Sequence, residues 1–434
     1  MSLLDSSSFN LDVSGVVGFF GGEEAISAMG TVHVYEGRKY LGWYNSPGSF
    51  VVAKQYGRLA KSRLWNGLFP GNRTEPTELF EYDGERGPEF IAAHSGTRIK
   101  DTGHTGHLFL KECQSLPERK VEGRLTLPTP VTIVRLGPAP DERIYPTLQR
   151  KWSSLIAAVP IIISLGGCVA CGIDGDWYLF SMILLGIISN GLSCLAIGNA
   201  QLEFFHPKPA NGSVLGDGFL HAGSEIVILL GEEGSVNAIT RGKFSLKFPH
   251  KSEESGHQPI GLAATLLLAQ FLLQLLLIPQ GTLYGQIWFL GTSTVSWMYN
   301  CYLSSIDKEL VQREILVKRV LCPKRPVLSR YSLGTWTTMT VFVLLVLQPA
   351  ESARRLLDHL LPNETPVWKI WKQEILERLK DGRPLVFEKN DRDDLEEGEN
   401  NLLKILYGDA EAAYQGFSEF IVTAPYVNPV TEEV

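Results

Sequence analysis

Charge is absent from four long stretches of this chain, and this feature constrains its fold more than any other. Asp, Glu, Lys and Arg are missing from residues 152–173, 177–202, 255–306 and 331–350. A charged side chain at the centre of a bilayer costs about 2.5–3.5 kcal/mol on insertion scales, whereas helices in water have no reason to exclude charge. The mean hydropathy of +0.02 conceals this pattern, because the charge is concentrated elsewhere. The sequence therefore predicts an α-helical multi-pass membrane protein with about five transmembrane helices.

The first four apolar segments pair into two predicted hairpins. Segments 152–173 and 177–198 contain about 22 residues each, and about 20 residues cross a bilayer core of about 30 Å. A three-residue turn separates them, which predicts a transmembrane hairpin over residues 152–198. Two further apolar segments flank a Pro-Gln-Gly turn and predict a second transmembrane hairpin over residues 259–303.

The fifth apolar segment, residues 331–350, is shorter than the others. Its apolar part covers residues 333–347, and the first half of that part contains four threonines. We predict a fifth transmembrane helix here, with a re-entrant or buried segment as the alternative. The choice decides where the tail lies, because a fifth crossing moves the C-terminus to the other side of the membrane.

The remaining residues divide by composition. Residues 1–30 are rich in Ser and Gly and predict a loose leader. Short apolar runs between turn residues predict a soluble β-rich or α+β domain over residues 31–138. Residues 199–258 predict a folded cytoplasmic loop. Residues 304–330 predict a basic amphipathic juxtamembrane helix, and residues 351–434 predict a helical, acidic C-terminal tail.

Two residue pairs define one helix of the tail. Thr365-Pro366 matches an N-cap followed by a proline in the first turn, where the missing N–H costs nothing. Asp381-Gly382 closes the amphipathic run that follows. The sequence therefore predicts a helix from Pro366 to about Lys380.

The distribution of basic residues predicts the orientation, because short loops rich in Lys and Arg stay in the cytoplasm. The turns 174–176 and 279–282 contain no Lys or Arg, whereas residues 306–330 contain seven. The N-terminus is therefore predicted to be cytoplasmic, with both turns on the opposite side. If residues 331–350 cross the membrane, the tail is on that opposite side too.

Five polar residues within the apolar segments are candidates for a functional lining. They could line a path for a small solute, or they could join helices by hydrogen bonds worth about 0.6 kcal/mol each on average. Ionisable residues within a membrane mark pumps and proton relays, and the apolar segments contain no Asp, Glu, Lys or Arg, which disfavours an ion-coupled transporter. The candidates are Asn190, Gln270, Gln274, Ser293 and Asn300.

Metal, cofactor and nucleic-acid sites are not predicted. Metal-ligand atoms are offered by His94, Asp101, His104, His107, Glu112 and Cys113. Their spacing fits no compact metal module, and histidines on a surface turn are the preferred interpretation. Cys168 and Cys171 lie within an apolar segment, where small-residue packing is favoured over redox chemistry. Phosphate-loop, zinc-protease and serine-hydrolase motifs are missing, so no catalytic residue is assigned and an enzyme is not expected. With 40 basic and 47 acidic residues and no basic stripe, nucleic acid is not an expected partner.

Two runs of sequence carry a resemblance to known proteins. Residues 229–242, Leu-Leu-Gly-Glu-Glu-Gly-Ser-Val-Asn-Ala-Ile-Thr-Arg-Gly, and residues 360–369, Leu-Leu-Pro-Asn-Glu-Thr-Pro-Val-Trp-Lys, resemble uncharacterised multi-pass membrane proteins of fungi. The resemblance covers mainly residues 150–420. It implies a fungal lineage and a membrane fold, and it brings no catalytic motif.

These observations lead to one functional hypothesis and one principal alternative. The hypothesis is a membrane-anchored scaffold, sensor or regulator, whose partners are the lipid bilayer and proteins that bind its cytoplasmic lobes. The alternative is a small-solute transporter or channel that uses the polar faces of helices two to four. A membrane enzyme that uses the N-terminal histidines is a third, less favoured hypothesis. The sequence does not indicate which membrane or which oligomeric state.

Overall fold

A computed structural model of the chain describes nine stretches that together leave out both termini. They are residues 18–60, 62–72, 74–138, 151–248, 253–321, 327–349, 352–388, 391–393 and 395–423. The chain divides into two compact units. The helical unit comprises residues 1–84, 142–205 and 244–312, and the sheet unit comprises residues 85–141, 206–243 and 313–434.

The helices and strands are numbered in chain order. The α-helices are α1 Gly22–Gly30, α2 Ser49–Leu59, α3 Arg63–Leu68, α4 Pro76–Leu79, α5 Gly103–Gln114, α6 Lys151–Ile173, α7 Trp177–Ile197, α8 Glu233–Thr240, α9 Glu253–Leu277, α10 Leu283–Ser304, α11 Lys308–Ile315, α12 Trp336–Leu347, α13 Ala353–Leu360, α14 Pro366–Asp381 and α15 Glu397–Thr423. The strands are β1 Glu89–Ala92, β2 Arg98–Ile99, β3 Glu118–Lys120, β4 Thr129–Arg135, β5 Gln201–Phe205, β6 Gly218–Ala222, β7 Glu225–Leu230, β8 Lys243–Lys247 and β9 Val327–Leu333.

Four long helices, α6, α7, α9 and α10, dominate the helical unit. In the described residues, three stretches are long and apolar enough to cross a membrane: Leu155–Ile173, Trp177–Ile197 and Gln258–Gln280. Helix α10 has 22 residues without Asp, Glu, Lys or Arg. Helix α6 packs on α7 and α10, and α9 packs on α7. The elements of the two predicted hairpins are therefore present as helices.

The two turns that join these helices are bonded to each other. Asp176 caps α7 by accepting a hydrogen bond from the backbone N–H of Leu179 at 3.1 Å. Its second carboxylate oxygen accepts from the backbone N–H and the hydroxyl of Thr282, at 2.7 and 2.8 Å. Thr282 in turn caps α10 through Gly285. Because one carboxylate joins both turns, the turns lie at the same end of the bundle.

The N-terminal half of the predicted domain 31–138 differs from the prediction, because it is helical and belongs to the helical unit. Residues 31–33 form a 3-10 helix, and the apolar run 50–53 lies within α2. The buried residues of α2 follow helical spacing: Ser49, Val52, Ala53, Tyr56, Gly57 and Leu59. A short apolar run fits a strand and a buried helix equally well, so packing on α9 decided the outcome.

The predicted leader and the predicted loop also divide differently. Residues 22–30 of the leader form α1, which packs on α10, while residues 1–17 lie outside the described residues. Residues 199–258 do not form one lobe: β5 and β8 pair as a two-stranded sheet, while β6, β7 and α8 belong to the sheet unit. The predicted juxtamembrane helix 304–330 contains α11 and a π-helical turn, but its last residues form β9.

The sheet unit is built on a seven-stranded mixed sheet with the order β2-β1-β6-β7-β4-β9-β3. Strand β4 is an interior strand, between β7 and β9. It runs parallel to β7, with Val131 opposite Ile226, and antiparallel to β9, with Val131 opposite Tyr331. Its β-branched residues suit a pleated, buried position, and Val131 and Val134 are fully buried. Residues 85–138 therefore supply the β-rich part that the sequence predicted.

Residues 331–350 do not form the predicted fifth transmembrane helix and match the buried alternative instead. The first residues of this segment end β9, and the remainder forms α12, a helix of 12 residues. At 1.5 Å per residue such a helix spans about 18 Å, too short for a bilayer core. Helix α12 packs on β4, β7, β9, α13 and α15, and ten of its residues are buried. A helix that is apolar on all sides lies either in lipid or in the core of a protein, and α12 lies in a protein core.

Candidate functional site

A non-helical segment, residues 41–47, runs between the long helices of the helical unit, and we call it the inserted segment. It connects the 3-10 helix Arg38–Tyr40 to α2. Tyr44 and Asn45 are buried, with 3% and 1% of their surfaces exposed. Non-helical backbone at membrane depth is tolerated only where protein or enclosed water satisfies its polar groups. The partners of this segment therefore decide what the polar residues of the helices do.

Asn45 lies at the middle of the bundle. Its backbone N–H donates to Ser164 Oγ of α6 at 3.0 Å. Its side-chain amide donates to Thr292 Oγ1 and Ser293 Oγ of α10, at 3.1 and 3.2 Å. A Cβ atom at Gly186, near the midpoint of α7, would overlap its amide oxygen. Asn45 thus contacts three helices close to their midpoints, which is also the predicted middle of the bilayer.

The residues on either side of Asn45 have equally specific partners. Asn190 of α7 donates to the carbonyl of Gly42 at 2.7 Å. The Tyr44 hydroxyl donates to Asn300 Oδ1 of α10 at 2.9 Å, and the Asn300 amide donates to Ser46 Oγ at 3.1 Å. Three predicted lining residues, Asn190, Ser293 and Asn300, therefore bind the chain's own inserted segment.

The other two predicted lining residues are buried without a complete set of partners. Gln270 and Gln274 of α9 are 1% and 2% exposed. The amide oxygens of both lack a hydrogen-bond partner among the described residues. Gln270 lies near Gly186 and so near Asn45. The structure therefore brings Gln270 to the same region but gives Gln274 no bond to the inserted segment.

Sequence reasoning missed the inserted segment itself. Asn45-Ser46-Pro47-Gly48 has the composition of a surface turn, and nothing in it indicates burial. One signal was available. Polar residues near the middles of several apolar segments need partners, and a polar, glycine-containing stretch elsewhere in the chain could supply them.

Arg38 adds a charge to this part of the helical unit. Only 2% of its surface is exposed, and its guanidinium lies over the ring of Tyr299, 5.4 Å from the ring centre. The Nε and one terminal nitrogen lack hydrogen-bond partners among the described residues. Because burial of an unpaired charge is costly, Arg38 needs an explanation beyond packing.

The sheet unit contains an open pocket of about 780 Å³. It lies beyond the carboxyl ends of the parallel strands β4 and β7, at the place where α/β sheets commonly bind ligands. His94 Nε2 lies 3.6 Å from Asp217 Oδ2, and Asp217 Oδ1 accepts a hydrogen bond from the backbone N–H of Gly231 at 2.7 Å. Arg135 and Ser235 also line the pocket. Acidic, basic and hydroxyl groups thus converge on a cavity of ligand size.

The histidines considered from the sequence lie in a different setting from the one predicted. His104 and His107 belong to α5 rather than to a surface turn, and His104 is 7% exposed. Their rings stack with centres 6.3 Å apart. Asp101 instead accepts hydrogen bonds from the backbone N–H groups of Gly103 and Gly87, which lower the pKa of its carboxyl group. Asp101 therefore has a structural role: it fixes the start of α5.

Another group of side chains in the sheet unit has the spacing of metal ligands. Ligand atoms of Glu89, His221 and His359 lie within 4.8 Å of one another. Arg98 competes for this position, because one of its terminal nitrogens lies 3.2 Å from His359 Nδ1. Burial and the Arg98 charge both lower the pKa of His359. A cation in this group would have to displace the guanidinium.

Comparison with known proteins leaves the geometry as the basis for a functional proposal. No family model, curated protein or solved structure matches this chain.

Proposed function

We propose that this protein is a membrane-anchored sensor or regulator. The helical unit anchors it in the bilayer, and the sheet unit binds a small ligand and protein partners. One observation carries the proposal: polar groups of the helices form hydrogen bonds with the inserted segment, and Asn45 is at the centre of these bonds. A solute path would need those groups to face an open channel, whereas here they hold the chain's own backbone in place.

Strand pairing supports four crossings and a tail on the same side as the N-terminus. Strand β4 precedes α6, β7 lies between α7 and α9, and β9 follows α10, yet all three are neighbours in one sheet. Hydrogen-bonded strands cannot lie on opposite sides of a membrane. The number of crossings in each interval must therefore be even. With apolar helices of membrane length in both intervals, we propose that α6 and α7 cross as one pair and α9 and α10 as another. The basic residues at 306–330 favour a cytoplasmic position for this side.

The pocket in the sheet unit supports a sensor rather than a passive anchor. Its ionisable residues, His94, Arg135, Asp217 and Glu232, surround a volume of the size that small-molecule sites occupy. The flanking apolar residues, among them Leu215 and Leu230, would bury the apolar part of a ligand. The fungal lineage remains a prediction from the sequence.

One experiment separates the anchor from a transporter. The purified full-length chain is reconstituted into liposomes loaded with potassium chloride and glucose, and release of each is followed. An anchor releases none of them faster than protein-free liposomes. The proposal would be overturned if wild-type liposomes release potassium chloride or glucose and both Gln274→Leu and Asn300→Leu abolish that release. Both variants must keep the wild-type unfolding temperature.

A second measurement tests the pocket directly. The small-molecule fraction of a cell lysate is added to the full-length chain in lipid nanodiscs, and the thermal midpoint is recorded. Wild type should be stabilised, since a ligand that binds the folded state raises its stability. Leu215→Trp fills the pocket and should remove the effect. Val214→Trp is the matched control, because Val214 is exposed and does not line the pocket. An effect that is equal in both variants contradicts a ligand site here.

The transporter remains the alternative because one specific observation favours it. The amide oxygens of Gln270 and Gln274 lack partners among the described residues although both side chains are buried. Buried polar groups are normally bonded. A polar solute moving beside α9 would supply the missing donors, and the liposome experiment detects such movement.

A further inference from the structure

A small cavity lies beside Arg38 in the helical unit. Its volume is about 10 Å³, roughly the space that one water-sized sphere requires. Arg38, Ser49, Tyr56, Asn190 and Asn300 are among its lining residues. Polar and apolar groups share the lining, and a basic side chain forms part of the wall.

The charge of this wall is not balanced by any described carboxylate. Arg38 forms no ion pair among the described residues, and its Nε and one terminal nitrogen have no hydrogen-bond partner there. The ring of Tyr299 attracts the guanidinium but does not neutralise it. A buried, unpaired cation is strongly unfavourable, so the folded state gains from any anion that fits beside it.

Hydrogen-bond donors complete the wall. The hydroxyls of Ser49 and Tyr56 are buried and have no partner among the described residues. Ser49 is also the first residue of α2, and the start of a helix carries a partial positive charge. The acceptor Asn300 Oδ1 is already occupied by the hydroxyl of Tyr44. The groups left over are donors and a cation, which is the composition of an anion site.

The size of the cavity selects the anion. Phosphate, sulfate and carboxylates carry several heavy atoms and do not fit in about 10 Å³. A single-atom anion is only slightly larger than water. We propose that Arg38, Ser49 and Tyr56 form a binding site for one chloride ion in the helical unit. The ion balances the Arg38 charge and links the 3-10 helix that precedes the inserted segment to the start of α2, which follows it.

The test uses the full-length chain in nanodiscs of neutral lipid. Chloride replaces gluconate at constant ionic strength and pH, and the thermal midpoint is recorded. The midpoint should rise with chloride and then saturate, as binding to the folded state requires. Arg38→Met, which keeps the length of the side chain but removes the charge, should abolish the rise. Lys39→Met is the matched control: it removes the same charge one residue away, from a side chain that bonds Asn199, and should keep the rise.

Two conservative variants keep the proposal testable if Arg38→Met does not fold. Ser49→Ala and Tyr56→Phe each remove one hydroxyl donor and should each raise the chloride concentration at half-saturation about tenfold, the range for one hydrogen bond to a charged group. Bromide should replace chloride and give an anomalous scattering peak beside the Arg38 guanidinium in crystals. A wild-type midpoint that is indifferent to chloride, or a rise that persists unchanged in Arg38→Met, overturns the site. The liposome experiment is independent of it, since a chain can bind chloride without releasing it across the membrane.

Discussion

Asn45 carries more of the helical unit's internal bonding than its place in a turn-like sequence suggests. It donates to hydroxyls of α6 and α10 through both its backbone and its side chain. Hydrogen bonds of this kind contribute about 1 kcal/mol each, but leaving buried donors or acceptors unpaired costs more. The residue therefore fixes how far the inserted segment penetrates between the helices.

Asn45→Leu should destabilise the helical unit. The change removes two side-chain hydrogen bonds and introduces an apolar group of similar volume, so we expect a loss of about 2–3 kcal/mol. Thermal unfolding of the full-length chain in detergent measures the change. Asn66→Leu, on the exposed side of α3, is the control and should shift stability by less than about 0.5 kcal/mol. Equal effects of the two variants would contradict the central position of Asn45.

His33 makes the stability of the helical unit depend on pH. It is 2% exposed, and its Nδ1 lies 3.4 Å from the carbonyl of Ala200. Burial lowers the pKa of this histidine to about 4, although the bond to Ala200 opposes the shift. In the unfolded chain the ordinary pKa is about 6.5, so between these values the unfolded state binds more protons than the folded state.

Acid should therefore destabilise the helical unit through His33. Stability should fall as the pH is lowered from about 6.5 to about 4, by at most about 3 kcal/mol at the rate of 1.36 kcal/mol per pH unit. His33→Phe should flatten the decrease, because a neutral ring keeps the contacts with Phe80 and Tyr82. Unfolding temperatures at pH 7 and pH 5 test this. His107→Gln serves as the control, and a decrease of the same size in His33→Phe would assign the effect to other groups.

At the scale of elements, two glycines in α7 allow the helix and the inserted segment to lie close together. Gly186 faces Asn45, and Gly191 faces Trp43 closely enough that a Cβ atom would overlap either side chain. Small residues let backbones approach within membranes. Hydrogen bonds therefore hold the inserted segment, and the two glycines of α7 leave the space that it occupies.

Gly186→Ala should separate α7 from the inserted segment. The added methyl group meets the Asn45 amide, so we expect a loss of about 1–3 kcal/mol, the range for overpacking a tight site. Gly166→Ala is the matched control within α6: it has no heavy atom within 4 Å of the added Cβ and gains helix propensity. Thermal midpoints of both variants provide the test. If the Gly186 variant is as stable as the Gly166 variant, the close approach does not exist.

The contrast between α12 and α14 shows what element prediction can reach. Helix α14 begins after Thr365 with Pro366 and ends at Gly382, whose φ of 66° is the left-handed value that glycine adopts easily. These local signals predicted both ends closely. Helix α12 has equally clear apolar character, but composition is the same for a helix in lipid and a helix inside a protein core. The short apolar part, residues 333–347, was the informative signal in the sequence, and the helix is shorter still because Leu333 belongs to β9.

For the whole molecule, the shared sheet limits the membrane topologies that are compatible with the fold. Strands from before, between and after the two helical hairpins pair with one another. Pairing across seven register positions between β4 and β9 is incompatible with a membrane between them. Hydrogen bonding in the sheet unit therefore requires an even number of crossings between β4 and β7 and between β7 and β9, a constraint that hydropathy does not supply.

This topology predicts that both termini are cytoplasmic. Epitope tags before Met1 and after Val434 should resist protease in sealed cells and become accessible after permeabilisation. A glycosylation acceptor inserted into the turn at 279–282 should be modified, because that turn lies on the opposite side. A C-terminal tag that is digested in sealed cells would exclude four crossings.

The sequence by itself determined the four long apolar helices, the pairing of their turns at one end, and the polar residues Asn190, Ser293 and Asn300 that need partners. These features depend on local composition and spacing, which the bilayer and helix geometry convert directly into structure. Only the tertiary structure decided that residues 41–47 are those partners and that α12 is a core helix. Both outcomes depend on contacts between residues far apart in the chain, and no local pattern specifies which distant surface an apolar or polar group will meet.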